Sequence, residues 1–110
     1  MSVIFAKINL DNLKQNFLNL KNFVGDDIKF CALIKANAYG HGSVEIAKSY
    51  AEFGADYLAV ARVNEGEELR KNGIKLPILL LGYSDEVKKV LLNNLELCVF
   101  NYEYATTIHE

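Results

Sequence analysis

The sequence predicts an α/β fold in which parallel strands alternate with helices, and two patterns support this. Short, nearly continuous apolar runs recur along the 110 residues, at 30–34, 57–61, 78–81 and 95–100. Runs of this length and polarity are typical of strands that are buried on both faces of a parallel sheet. Between them lie apolar residues at helical spacing, and repeated strand–helix units with short loops imply right-handed crossovers.

The first elements are an opening strand at residues 3–9 and two helices. Asp11 is the candidate N-cap of the first helix, whose apolar stripe starts two residues later. Ser43 is the candidate cap of the second helix, and Gly54 supplies its C-terminal stop.

The second half of the chain repeats the alternation. The segment 64–67 resembles a capping box, and Gly73 closes that helix before Pro77. Ser84 opens a further helix, and residues 101–110 are typical of the start of one more. We therefore expect the sequence to stop inside a helix.

Two architectures fit this order of elements. An open doubly wound sheet is complete at about this length, whereas a (β/α)8 barrel needs roughly 250 residues, of which this chain is about half. The pattern alone slightly favours the complete open sheet.

The composition is that of an ordinary soluble globular protein, with 51% hydrophobic residues and a net charge of -2. The absence of basic clusters argues against a nucleic-acid surface or a polybasic membrane patch. No apolar run approaches the ~18 residues of a membrane span, and no signal peptide is evident, so we expect a cytoplasmic protein. Cys31 and Cys98 lie in apolar runs and are predicted to be reduced core residues rather than a disulfide.

The most informative segment is 35–42, Lys-Ala-Asn-Ala-Tyr-Gly-His-Gly, directly after the first apolar run of this sheet. Catalytic groups of parallel α/β folds gather at the carboxyl ends of strands, which is where Lys35 is predicted to lie. Partial desolvation there favours the neutral amine, which attacks carbonyl groups. Without the residues that follow, a solvated lysine at a strand end is the favoured alternative.

The rest of the segment adds weaker evidence. The Tyr39 hydroxyl is suited to donate to an anionic group such as a phosphate, and an aromatic plug beneath the loop is an equal alternative. Gly40 and Gly42 permit unusual backbone angles before a helix N-terminus that favours anions. His41 is predicted to be structural, because no cysteine or aspartate lies at metal-ligand spacing, and we expect no metal site.

A group of glutamates follows the second apolar run of the sheet, at positions 65, 67 and 68. Carboxylates are favoured at a helix N-terminus by the helix dipole, and this explains the three residues without any catalytic role.

The eight residues 35–42 resemble the pyridoxal-phosphate lysine motif of alanine racemase, without a departure. An eight-residue match, with further similar segments in the same order before and after it, is far more specific than the lysine or the glycines alone. The similarity extends along the chain through the segments 11–13, 54–61, 64–66, 69–70, 73–74 and 77–82.

The resemblance implies a (β/α)8 barrel, with residues 11–110 as the first part of the pyridoxal-phosphate-binding barrel domain. It also implies that the opening strand at 1–10 joins a carboxy-terminal β domain, which is absent from this sequence. The family acts as a homodimer and interconverts L-alanine and D-alanine, which supplies D-alanine for peptidoglycan.

The resemblance also assigns roles to four residues. Lys35 forms the internal aldimine with pyridoxal phosphate and is the acid or base on the face that serves D-alanine. Tyr39 contacts the cofactor phosphate, and Leu33 and Leu81, at the ends of two neighbouring strands, line the cofactor pocket. The family takes its second acid–base group from a tyrosine of the partner subunit's β domain, so we expect this chain to be an inactive fragment.

Three alternatives stay open at this point. Related racemases of serine or of basic amino acids share the barrel, and a single-domain barrel binds pyridoxal phosphate without a dedicated reaction. In the third alternative, the motif is coincidental in a complete, small open-sheet protein.

Overall fold

Four parallel strands form the sheet in the order β1-β2-β3-β4, and helices connect them. The structure, a computed structural model, describes residues 3–109. The elements are α1 (Leu10–Val24), β1 (Cys31–Leu33), α2 (Lys35–Tyr39), α3 (Ser43–Phe53), β2 (Tyr57–Val60), α4 (Val63–Lys71), β3 (Ile78–Leu80), α5 (Val87–Leu92), β4 (Glu96–Leu97) and α6 (Tyr102–His109). The α/β prediction is confirmed. Strands in unbroken chain order are the arrangement of a barrel, because a doubly wound sheet reverses its strand order.

One face of the sheet carries the hydrophobic core. Ala32, Leu58 and Ile78 align across the first three strands and are almost completely buried. Side chains from the helices complete the same cluster, including Ile46 of α3 and Leu69 of α4. Burial of this apolar surface is the main force that holds the helices against the sheet.

The other face of β1 is open within the described chain. Side chains alternate along a strand, so Cys31 and Leu33 lie opposite the buried Ala32, and both are exposed. The prediction of a strand buried on both faces is therefore wrong for β1, and so is the placement of Cys31 in the core. Cys98 is half-buried, and both cysteines are free.

The opening segment does not form the predicted strand. Residues 4–9 have no regular secondary structure, and the sheet does not include them. Val3, Ile4 and Phe5 are at least 80% exposed. A strand is defined by pairing with a neighbouring strand, and the partner that the resemblance implies belongs to a β domain outside this sequence.

Several helix starts differ from the predicted caps. The cap of α1 is Asn9, whose Oδ1 accepts from the Asn12 N–H at 3.0 Å, because an equally good capping residue precedes Asp11. Ser43 is the first residue of α3 rather than its cap. Ser84 precedes α5 by three residues, and its Oγ accepts the N–H of Glu86 at 3.1 Å in a local turn. Helix α3 ends at Gly54 as predicted, with a φ of 103°.

The carboxylate of Asp56 connects the segment before β2 to the segment before β1 and to α1. Asp56 Oδ2 accepts from the Phe30 N–H at 2.7 Å and lies 3.5 Å from Lys21 Nζ. The bond from the Phe30 N–H and, secondarily, the charge of Lys21 lower the pKa of Asp56. Because the folded-state pKa is lowered, this stabilisation is present at neutral pH and is lost as the pH falls through that pKa.

Arg70 connects the turns that precede β3 and β4. Its Nε donates to the carbonyl of Asn93 at 2.8 Å, and its Nη2 donates to Asn94 at 3.0 Å. Its Nη1 donates to Ile74 and Leu76 at 2.9 and 2.8 Å. One planar guanidinium therefore satisfies four backbone carbonyls at the amino end of the sheet.

We predict that Arg70→Lys lowers the free energy of unfolding by about 1–3 kcal/mol, because an ammonium group cannot reach four carbonyls. Urea titration of the full-length protein measures this. The control is Lys71→Gln, which removes only an exposed ion pair to Glu67 at 3.2 Å and is expected to cost less than about 0.5 kcal/mol. Equal effects of the two substitutions would contradict the role given to Arg70.

Candidate functional site

The loop after β1 holds the predicted site residues, and its backbone is left-handed. Ala36, Asn37, Ala38 and Tyr39 have φ angles of 51°, 56°, 54° and 55°. We call residues 36–39 the left-handed turn. In this conformation, Cβ approaches the following carbonyl oxygen, which costs an L-residue about 1–2 kcal/mol. Four consecutive non-glycine residues in this region are a strained structure, and nothing in their residue types predicts it.

Backbone hydrogen bonds close the turn. The N–H of Ala38 donates to the Ile34 carbonyl at 3.0 Å, and the N–H of Gly40 donates to the Ala36 carbonyl at 3.2 Å. The N–H of His41 donates to the carbonyl of Ala38 at 3.0 Å. Gly40 continues the positive φ at 90°, which glycine adopts at little cost. The turn is a regular, hydrogen-bonded structure.

Glu65 binds the start of the left-handed turn. Its Oε2 accepts from the Ala36 N–H at 2.7 Å, and its Oε1 accepts from Ala61 and Arg62 at 2.9 and 2.8 Å. The carboxylate therefore joins the loop after β1 to the loop after β2. Its charge strengthens each of these bonds relative to neutral pairs.

The predicted capping box at 64–67 is displaced. Arg62 has the extended backbone of an N-cap, with φ -128° and ψ 155°, and α4 begins at Val63. The third helical position is therefore Glu65, whose side chain accepts the cap N–H, while Glu67 pairs with Lys71. The prediction failed because β2 ends early enough for the chain to enter the helix before Asn64.

Asn37 and His41 bind the end of the turn. Asn37 Oδ1 accepts from the N–H of Ser43 at 2.9 Å, which satisfies one of the free amides at the start of α3. His41 Nδ1 lies 2.9 Å from the Ala38 carbonyl, so this nitrogen carries the proton and donates. The sequence predicts a structural role for His41, and this hydrogen bond is consistent with that prediction.

The turn presents an amine and a hydroxyl. Lys35 directly precedes it at the carboxyl end of β1 and is half-buried. Between residues 3 and 109, its Nζ has neither a hydrogen bond nor an ion pair. Tyr39 is 57% exposed, so its ring is not a plug beneath the loop. Both functional groups are available to a ligand.

A cavity of about 150 Å³ lies between α1, the left-handed turn and α3. Leu33 and Tyr39 line it, together with Leu13, His41 and Tyr50. Lys35 and Leu81 are not among its lining residues. The structure therefore brings two of the four predicted cofactor residues to this cavity.

Leu33 and Leu81 were expected on neighbouring strands, and that expectation is wrong. Leu33 belongs to β1, Leu81 follows β3, and β2 lies between them, because each strand–helix unit adds the next strand in order. The register aligns Leu33 with Ala59 and Ala59 with Leu79, so Leu33 and Leu81 share the open face of the sheet. They are 40% and 38% exposed.

Two further features are absent from the described residues. No cluster of three or more histidine, cysteine, aspartate or glutamate side chains is placed to bind a metal ion within residues 3–109. In the same range, every helix is too short or too polar to cross a bilayer.

Residues 8–110 match the sequence family described as "Alanine racemase, N-terminal domain". The alanine racemase of Desulforamulus reducens is 44% identical over 107 residues, which are 96% of this chain and 29% of that protein. The alanine racemase of Methanococcus maripaludis is 43% identical over 109 residues, which are 97% of this chain and 29% of that protein. The chain thus spans less than a third of the length of these relatives.

Solved structures agree with this match. The alanine racemase of Clostridium difficile 630 superposes with a TM-score of 0.89 at 51% identity, over 92% of this chain and 27% of that one. The alanine racemase of E. faecalis gives a TM-score of 0.89 at 30% identity, over 94% of this chain and 28% of that one. The sheet and its helices are therefore the amino-terminal part of a (β/α)8 barrel.

We predict that Ala36→Gly raises the free energy of unfolding by about 0.5–1 kcal/mol. Glycine removes the left-handed strain from the folded state, and this gain exceeds the free-energy cost of a more flexible unfolded chain. Urea titration of the full-length protein tests this. The matched control is Ala51→Gly, at an exposed position of the right-handed helix α3, which is expected to lower the same quantity by about 0.5–1 kcal/mol. Equal destabilisation by both variants would contradict the left-handed conformation.

Proposed function

The chain belongs to the alanine racemase family, and on that premise we propose that the protein containing it interconverts L-alanine and D-alanine with pyridoxal phosphate. The observation that carries this proposal is the position of Lys35. Its amine has no partner within residues 3–109, it lies at the carboxyl end of a barrel strand, and a doubly anchored turn follows it. Active sites of (β/α)8 barrels form at this end of the strands.

The residues present fit the cofactor. Pyridoxal phosphate requires an amine for attachment, a hydrogen-bond donor for its phosphate and an apolar wall for its ring. Lys35 offers the amine, Tyr39 an exposed hydroxyl, and Leu33 and Leu81 exposed apolar side chains on one face of the sheet. When bound, the cofactor supplies the electron sink that stabilises negative charge at the substrate α-carbon.

Lys35 has two tasks in this proposal. Its Nζ would hold the cofactor covalently. As a free amine beside the substrate α-carbon, Lys35 would also move the proton on the face that serves D-alanine. Tyr39 would donate its hydroxyl hydrogen to the phosphate, and Leu33 and Leu81 would exclude water from the ring.

Racemisation requires a second acid–base group on the opposite face of the substrate. We assign this group to a tyrosine of the partner subunit's β domain, as the family resemblance implies, and therefore propose a homodimer. We also propose that the whole protein is cytoplasmic and that its D-alanine enters peptidoglycan.

The full-length protein is predicted to racemise alanine, and Lys35→Ala is predicted to lower kcat by at least about 100-fold, because the proton-transfer group and the attachment point are both lost. Chiral chromatography of L- and D-alanine over time measures the rate. The control is Lys88→Ala, an exposed lysine of α5, which is expected to leave kcat unchanged.

The same assay with serine and arginine distinguishes the substrate classes. Faster turnover of either would contradict alanine as the substrate. Lys35→Ala with near wild-type turnover would contradict the assignment of the reactive lysine.

The 110 residues by themselves are predicted to show no measurable racemisation when supplied with pyridoxal phosphate. One acid–base group cannot both remove a proton from one face of the α-carbon and return it to the other. The full-length protein at equal concentration is the positive control. Robust turnover by the 110 residues would show that they contain the second group.

A further inference from the structure

We propose that Glu65 is a positioning residue for Lys35, which acts through the backbone of the left-handed turn. This inference rests on the proposed function, because it concerns the lysine assigned to the cofactor. A position at a helix N-terminus explains the Glu65 bonds to Ala61 and Arg62. It does not explain the third bond, to the Ala36 N–H of a loop 29 residues earlier in the sequence.

The third bond acts directly on the backbone of Lys35. The Ala36 N–H belongs to the same planar peptide unit as the Lys35 carbonyl, so an acceptor that fixes this N–H also fixes ψ of Lys35. The bond length of 2.7 Å and the full charge of the acceptor make this a strong restraint. Glu65 thus sets the direction in which Lys35 leaves the strand without a hydrogen bond to its side chain.

The restraint is placed where the backbone is most strained. Ala36 is the first of the four residues with positive φ, and the ordinary right-handed conformation is more stable for each of them. Without an acceptor for the Ala36 N–H, the turn can relax, and the direction of Lys35 changes with it. Strained backbone of this kind persists only where surrounding groups hold it.

A glutamine cannot replace this carboxylate. The carboxylate places one acceptor oxygen on each loop, whereas glutamine has a single acceptor oxygen and an amide NH₂ group. If the oxygen stays with Ala61 and Arg62, the NH₂ group faces the Ala36 N–H, and two donors oppose each other. Glu65→Gln therefore removes the bond to the turn while it conserves side-chain size.

The test uses the full-length protein with Glu65→Gln, and Glu68→Gln as the control. Glu68 is exposed on the same helix, so the control makes the same change of charge without the contact. The first measurement is amide hydrogen exchange in the cofactor-free protein. We expect exchange at residues 35–42 to accelerate about 10- to 100-fold in Glu65→Gln and to stay at the wild-type rate in Glu68→Gln.

The second measurement is the dissociation constant of pyridoxal phosphate, together with kcat and KM. We expect the dissociation constant to rise about 10- to 100-fold and kcat to fall, with little change in KM for alanine. A purely structural cap would change the exchange of α4 and the thermal midpoint, and leave residues 35–42 and cofactor affinity unchanged. That result would overturn the proposal.

Glu65→Asp keeps the test decisive if Glu65→Gln does not fold. Aspartate retains the charge and caps α4. Its side chain is one methylene shorter than that of glutamate, so its carboxylate cannot reach both loops at once. We expect faster exchange at residues 35–42 with α4 still protected, and unchanged exchange at residues 35–42 would overturn the proposal. Because hydrogen exchange needs neither cofactor nor turnover, an inactive wild-type protein would contradict the proposed function and not this inference.

Discussion

The left-handed turn is the constraint on which the candidate site depends. Ala36, Ala38 and Tyr39 adopt a conformation that their side chains disfavour, and each costs about 1–2 kcal/mol. The turn persists because groups from separate elements hold it: Glu65 of α4 accepts from its first amide, and Asn37 Oδ1 accepts from the first amide of α3. These hydrogen bonds therefore offset the strain, and they fix the backbone from which the side chains of Lys35 and Tyr39 project.

The two ends of the sheet have different tasks. At the amino end, Arg70 satisfies four carbonyls of the turns before β3 and β4, and its contribution is to stability. At the carboxyl end, the loops after β1 and β2 meet at Glu65, next to Lys35. The buried face of the sheet connects both ends through residues such as Leu58 and Ile78. This arrangement agrees with parallel α/β barrels in general, in which loops carry the active site while strands and helices hold it rigid.

Structural features that depend on local sequence pattern could be predicted from the sequence. Features that depend on contacts between residues far apart in the sequence could not. The strands are predicted within a few residues because their apolar runs are continuous, and Lys35 follows from its place after the first of them. The left-handed turn could not be predicted from Ala36, Ala38 and Tyr39, which have no preference for positive φ. Only Asn37 and the glycines favour it.

Glu65 was attributed to the helix dipole alone, since no pattern shows that its carboxylate reaches a loop 29 residues away. The opening strand was predicted from the alternating pattern of strands and helices, but a strand also requires a partner, and within residues 3–109 the sheet provides none to that segment.

The most direct test of the account is to locate the cofactor chemically in the full-length protein. The protein is mixed with pyridoxal phosphate, the covalent linkage is reduced with borohydride, and the labelled lysine is identified by peptide mass spectrometry. If the left-handed turn builds a reactive site, the label is found on Lys35 and not on the other lysines of the chain. Labelling scattered over exposed lysines, or concentrated on a different lysine, would contradict the central claim that this turn positions the reactive amine.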